Sequence, residues 1–190
     1  RDIPGYLQTI EINDPSDIIQ SWALVIADSF PAAMKAAKVV NVDWTPGETA
    51  TVSEAQLFSE GAKLAADNNA GTLFVDHGDV AAARAAAATT LTASYRTGSA
   101  LHFTLEPQNA LVEFVDGVCH VHAGNQWQSL IIPYLAAALQ IEESDIVIHQ
   151  YYLGGGFGRR LFGDQMTPAA IAARELDRPV KLVFERADDS

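Results

Sequence analysis

Asp116-Gly117 separates two short apolar-rich runs, Ala110–Phe114 and Val118–His122. Asp-Gly supplies the positive-φ positions of a two-residue hairpin, so the runs are predicted to pair as antiparallel strands. The rest of the second half is placed from that hairpin. Gln128–Leu139 reads as a helix with Ile132, Leu135, Ala136 and Leu139 on one face and Pro133 within the first turns. Ile146–Leu153 reads as a strand, Thr167-Pro168 opens a helix to about Leu176, and Val180–Glu185 reads as a short strand. A hairpin beside helix-linked strands implies a mixed sheet with packed helices, an α+β class.

The first half alternates strand and helix signals. Leu7–Ile12 reads as a strand and Ala23–Ala27 as a buried strand. Pro31 suits the first turn of a helix running to Lys38, and Val39–Trp44 reads as an alternating strand that Pro46-Gly47 ends. Ser53 and Gln56 make a capping box for a helix to about Ala66; Asp79 caps a helix over Val80–Ala88; Thr89–Tyr95 reads as a strand. The segment from Thr97 to Gln108 reads as a boundary, dividing the chain into 1–98 and 99–190.

Composition narrows the function. Twelve Lys+Arg against 24 Asp+Glu give a net charge of −12, which repels phosphate backbones and anionic membranes. With 48% hydrophobic residues and no apolar run long enough to span a bilayer, a soluble globular protein without a membrane span is expected. Cys119 is the only cysteine, so the sequence offers no intrachain disulfide, Cys-based zinc site or iron–sulfur cluster. The chain opens at Arg1 without Met and stops just after a strand-like run, as a piece of a longer polypeptide is expected to do.

No Lys or Arg lies between Arg96 and Arg159. That drought ends at Leu153-Gly154-Gly155-Gly156-Phe157-Gly158-Arg159-Arg160, with four glycines in five positions. Such a run can offer successive amides to an anion or cofactor, or it can be a plain strand-to-helix turn. It matches neither the dinucleotide fingerprint nor the P-loop. Phe157 either walls a pocket or plugs the core. Asn125 reads as a helix N-cap, Gln126 is open, and Glu106 before Pro107 reads as a structural acceptor rather than an acid or base. His120 and His122 share a strand face, but no third ligand has metal-site spacing, so no metal is assigned to His77, His102, His120, His122 or His149. Ser94, Ser99 and Ser129 lack a nucleophile-elbow context.

Four further stretches accompany the glycine run in register: Leu105-Glu106-Pro107-Gln108-Asn109, Asn125-Gln126, the helix ending before Asp145, and Pro179 through Asp189. Together they resemble the large, molybdenum-cofactor-binding subunit of the xanthine oxidase family. The resemblance is to its branch of isoquinoline 1-oxidoreductase β subunits and membrane-associated aldehyde dehydrogenases. Residues 1–98 resemble the family's hammerhead-like α/β region, and 99–190 the start of its molybdopterin-binding domain.

The resemblance implies oxidation of aldehydes or electron-poor N-heterocycles with water as oxygen source. It places Gln126 against an oxo ligand of molybdenum and Phe157 beside the substrate. Gly154, Gly155, Gly156, Phe157, Gly158, Arg159 and Arg160 fall to the cofactor, one of the arginines to its phosphate. The cofactor implied is molybdopterin in its cytosine dinucleotide form, absent from the isolated chain, which is expected to be inactive. A small [2Fe-2S] subunit and a cytochrome c subunit are the implied partners, with a periplasmic or membrane-associated parent. Leu161 stands where purine oxidisers carry a glutamate, which disfavours purines. The alternative is a small-molecule or phosphate-binding module without redox chemistry.

Overall fold

The computed structural model describes residues 2–16, 22–67 and 69–189. In chain order it forms β1 (Tyr6–Ile12), β2 (Trp22–Ala27), α1 (Phe30–Ala37), α2 (Glu54–Ala66), α3 (Val80–Ala86), β3 (Asn109–Val115) and β4 (Val118–Ala123). Then come α4 (Gln128–Leu139), a 3-10 turn at Glu143–Asp145, β5 (Ile146–Gln150), α5 (Met166–Leu176) and β6 (Val180–Val183). Two compact units result: Arg1–Val42 with Leu101–Ser190, and Asp43–Ala100.

In the larger unit the hairpin forms as expected. Asp116 and Gly117 adopt φ of 50° and 84°, which fixes Val115 opposite Val118. The sheet order is β5-β4-β3-β6. β4 and β5 run parallel across the α4 crossover, while β3 is antiparallel to both neighbours, so the sheet is mixed and the class is α+β. One face is apolar. Val112, Cys119 and Val121 point into it, under Ile131, Leu135 and Leu139 of α4 and Met166 and Ile171 of α5. Alanines at 169, 170, 172 and 173 remove side-chain bulk from α5, which packs against β3, β6, α4 and β1. Burial pushes the Cys119 thiol up to about 12, so it is a packing residue without thiolate character.

β1 and β2 pair antiparallel, and only Ile12 and Leu24 of the pair are buried in the shared core. The expectation of a buried strand over 23–27 is corrected: of these residues only Leu24 is buried, in a two-stranded ribbon. Val39–Trp44 is not a strand, and the expected strand–helix–strand unit is a ribbon followed by α1. Among the described residues no strand lies alongside to complete a ladder, and Val39 and Trp44 stay exposed. The smaller unit corrects Thr89–Tyr95 in the same way, with Leu91 and Tyr95 exposed. Its helices start where predicted. The amide of Gln56 donates to Ser53 Oγ at 3.3 Å and that of Ser53 to Gln56 Oε1 at 2.7 Å; Ala82 donates to Asp79 Oδ1 at 2.8 Å. α3 stops at Ala86, β5 at Gln150, where its pairing with Ala123 ends, and β6 at Val183.

Candidate functional site

Three segments of the larger unit meet beyond the carboxyl ends of the parallel strands β4 and β5: 104–108 ahead of β3, 124–127 between β4 and α4, and 153–160 after β5. Carboxyl ends of parallel strands are where open sheets place ligands, because the loops there converge. Glu106 ties the first segment to the third. It donates its amide to the Gly154 carbonyl at 3.2 Å and accepts the Gly154 amide on Oε2 at 2.7 Å. Gln126 ties the second to the third. Its Oε1 accepts the amides of Gly158 at 3.0 Å and Arg160 at 3.3 Å, and its own amide donates to the Arg160 carbonyl at 3.1 Å.

Two main-chain donors on one side chain oxygen fix the carboxamide's orientation. The oxygen faces the loop, and Nε2 has no acceptor among the described residues. The amides of Gly155, Gly156 and Phe157 likewise have none. Consecutive free main-chain donors beside a carboxamide donor are what an oxo or anionic ligand needs.

The glycines answer to internal constraints that the sequence did not show. A Cβ on Gly154 would lie 2.5 Å from Glu106 Cβ, and one on Gly156 2.5 Å from Gln126 Cδ, closer than real Cβ contacts. Gly155 and Gly158 sit at φ of 105° and 90°, out of reach of other residues without strain. Phe157 adopts φ 53° between them, an uncommon conformation for a bulky side chain, and the residue is 71% exposed. A left-handed backbone conformation on such a residue costs about 1–3 kcal/mol and persists only where the surrounding structure fixes it.

The arginines are engaged. Arg160 is 0% exposed; its Nε donates to the Gly155 carbonyl at 3.1 Å, and Nη2 reaches the Glu106 carbonyl at 2.8 Å and Glu106 Oε2 at 3.1 Å. Arg159 pairs with Asp164 at 2.5 Å and Asp189 at 3.1 Å. Both guanidinium groups thus contact carboxylates of this chain, Arg159 with Asp164 and Asp189 and Arg160 through Nη2 with Glu106. Partial burial pushes the Glu106 carboxyl up, but the Gly154 amide, Asn109 and Arg160 outweigh it and hold it below its ordinary value. A carboxylate so held is a structural acceptor, as expected, and a poor proton acceptor.

Asn125 is not the cap of α4, which begins after Trp127. Its Oδ1 takes the Trp127 amide at 2.6 Å and its Nδ2 donates to the Arg160 carbonyl at 2.8 Å, so the buried side chain braces two segments. Away from this corner, His120 Nδ1 lies 3.0 Å from His149 Nε2, and the His122 ring stacks on His149 at 4.3 Å. Parallel pairing of β4 and β5 brings His149 there across 29 positions, a contact that spacing alone does not show. Among the described residues no group of three His, Cys, Asp or Glu is arranged to hold a metal ion.

Comparison with known proteins gives this corner its family. The molybdopterin cofactor-binding domain model matches residues 64–190. A membrane-bound aldehyde dehydrogenase [pyrroloquinoline-quinone] of Gluconacetobacter polyoxogenes is 47% identical over all of this chain and 25% of its own length. The aldehyde oxidoreductase molybdenum-binding subunit PaoC of Escherichia coli O157:H7 is 30% identical over 88% of this chain and 22% of its own. The chain thus spans about a quarter of the length of these relatives. The solved aldehyde oxidoreductase of Desulfovibrio gigas superposes with a TM-score of 0.71 at 22% identity, covering 96% of this chain and 24% of that one, which shows a shared fold. With the family model matching residues 64–190, the chain belongs to the molybdopterin cofactor-binding domain family, as part of a molybdenum-binding subunit of the xanthine oxidase family.

Proposed function

We propose that this chain forms the part of a molybdenum hydroxylase subunit that faces the reactive side of the cofactor, in an enzyme oxidising aldehydes or N-heterocycles. The single observation that carries the reading is the run of amides at Gly155, Gly156 and Phe157, unpartnered among the described residues, in the loop that Gln126 braces while its own Nε2 has no acceptor there. When bound, the molybdopterin centre supplies two-electron oxidation with oxygen drawn from water. Gln126 donates a neutral hydrogen bond to an oxo group without adding charge. The exposed ring of Phe157 forms one wall for a flat or small apolar substrate and excludes water from it. Gly154 and Gly156 serve by letting Glu106 and Gln126 close on the loop.

The finer assignments are proposed with it. The cofactor is the cytosine dinucleotide form. Electrons leave through a [2Fe-2S] subunit and onward to a cytochrome c subunit. The parent enzyme is periplasmic or membrane-associated; among the described residues no helix is long and apolar enough to cross a membrane. Residues 1–98 are the hammerhead-like module and 99–190 the start of the cofactor-binding module, with β1 packed against α5 of the latter. Arg159 and Arg160 support the cofactor through the loop they brace.

Replacement of Gln126 by Ala in the complete enzyme is expected to lower kcat by roughly ten- to a thousandfold. Unchanged turnover removes the role. The printed name of one relative assigns it pyrroloquinoline quinone instead. Extraction of the intact enzyme distinguishes the two: a pterin supports the present reading, and a bound quinone in its place supports the other.

A further inference from the structure

We infer that Arg160, with Glu106 as its counter-ion, is a positioning residue that aims the Gln126 carboxamide. The inference rests on the proposed role of Gln126. Arg160 meets Gln126 twice through its backbone, giving its amide to Oε1 and taking the Gln126 amide on its carbonyl. The same carbonyl also takes Asn125 Nδ2. Its side chain then doubles back across five residues to the Gly155 carbonyl and on to Glu106 and Pro107, closing the glycine loop into a ring. Gly154 closes that ring from the other side through Glu106 Oε2.

This arrangement is not explained by stability. The Arg160 guanidinium is wholly buried while the Glu106 side chain keeps 37% of its exposure, so the solvation given up is chiefly that of Arg160, whose Nη1 is left without a hydrogen-bond partner among the described residues. An apolar side chain of similar volume would fill the space without that penalty. What it could not do is hold the Gly155 carbonyl, the Glu106 carbonyl and the Glu106 carboxylate at fixed angles at once, for which the planar guanidinium is shaped. Lysine has one nitrogen and cannot span these acceptors. The geometry that results keeps the Gly158 and Arg160 amides side by side on one oxygen, which fixes the carboxamide and leaves Nε2 without an acceptor among the described residues.

The test compares Arg160→Lys, Glu106→Gln, Gln126→Ala and the Gln126→Ala/Arg160→Lys double variant in the intact molybdenum enzyme. Molybdenum per protein is measured alongside kcat, KM and the Mo(V) electron paramagnetic resonance signal. Arg160→Lys is expected to keep its molybdenum, lose roughly ten- to a hundredfold in kcat with KM within about twofold, and show the altered resonance signal of Gln126→Ala. The double variant is expected to be no slower than Gln126→Ala alone, because Arg160 acts only through Gln126. Additive losses overturn the inference, as does loss of molybdenum with normal kcat in the loaded fraction, which would make Arg160 a cofactor ligand. A slow Gln126→Ala beside a wild-type Arg160→Lys also overturns it while leaving the role of Gln126 intact. A wild-type Gln126→Ala overturns both. Should Arg160→Lys fail to fold, Glu106→Gln, which removes the counter-charge at constant shape, is read by the same criteria.

Discussion

The unit Asp43–Ala100 and the sheet unit around the glycine loop are built on opposite terms. In the first, α2 and α3 bury no residue and rely on Ser53, Gln56 and Asp79 to satisfy their first amides. In the second, Val112, Val121, Ile131 and Leu135 are wholly buried, and side chains of three segments lock one loop. Caps act within four residues and are written in local sequence, so helices survive without a core. Strands depend on a neighbour, which is why β3 and β4 form while the β-branched run Thr89–Tyr95 does not.

Removing core volume tests this contrast most heavily. Leu135→Ala is expected to destabilise the sheet unit by about 2–5 kcal/mol in chemical denaturation, and Leu64→Ala in α2, whose side chain is half exposed, to change stability by less than about 0.5 kcal/mol. Similar costs for the two would erase the distinction. Glycine replacement comes next. Gly156→Ala is expected to cost about 1–3 kcal/mol and to displace Gln126, whereas Gly61→Ala, with open space around it inside α2, is expected to stabilise that helix by about 0.5–1 kcal/mol. Circular dichroism melts with a crystal structure of the first variant decide it. Ser53→Ala should then cost about 1 kcal/mol of α2 stability and leave the sheet unit unaffected.

The smallest effect expected is on pH dependence. The Glu106 carboxyl is held below its ordinary value in the folded chain, so its contribution is full above the unfolded value and fades as pH falls through the folded one. Glu106→Gln is expected to flatten the acid side of the stability profile there, and to leave the neutral-to-alkaline slope unchanged. A steeper acid limb in the variant would mean that the carboxyl is raised instead.

What could be read from the sequence follows the same division. Asp116-Gly117 and Ser53-x-x-Gln56 carry their outcome within a few residues, and the hairpin and α2 start where those pairs placed them. The brace between Arg160 and Glu106 spans 54 positions and that between Gln126 and Gly158 spans 32, and no local pattern encodes either. Glycines whose amides can serve a ligand also make room for Glu106 and Gln126, and the adjacent arginines also pair with Asp164 and Glu106 of this chain, contacts that no local pattern announces. The resemblance gathered the correct segments; the division of labour among their residues needed the folded chain.

The most direct test of the account is metal and pterin analysis of the intact parent enzyme purified from its own host. Stoichiometric molybdenum accompanied by a pterin is the predicted result. Fully active enzyme that contains neither would contradict it.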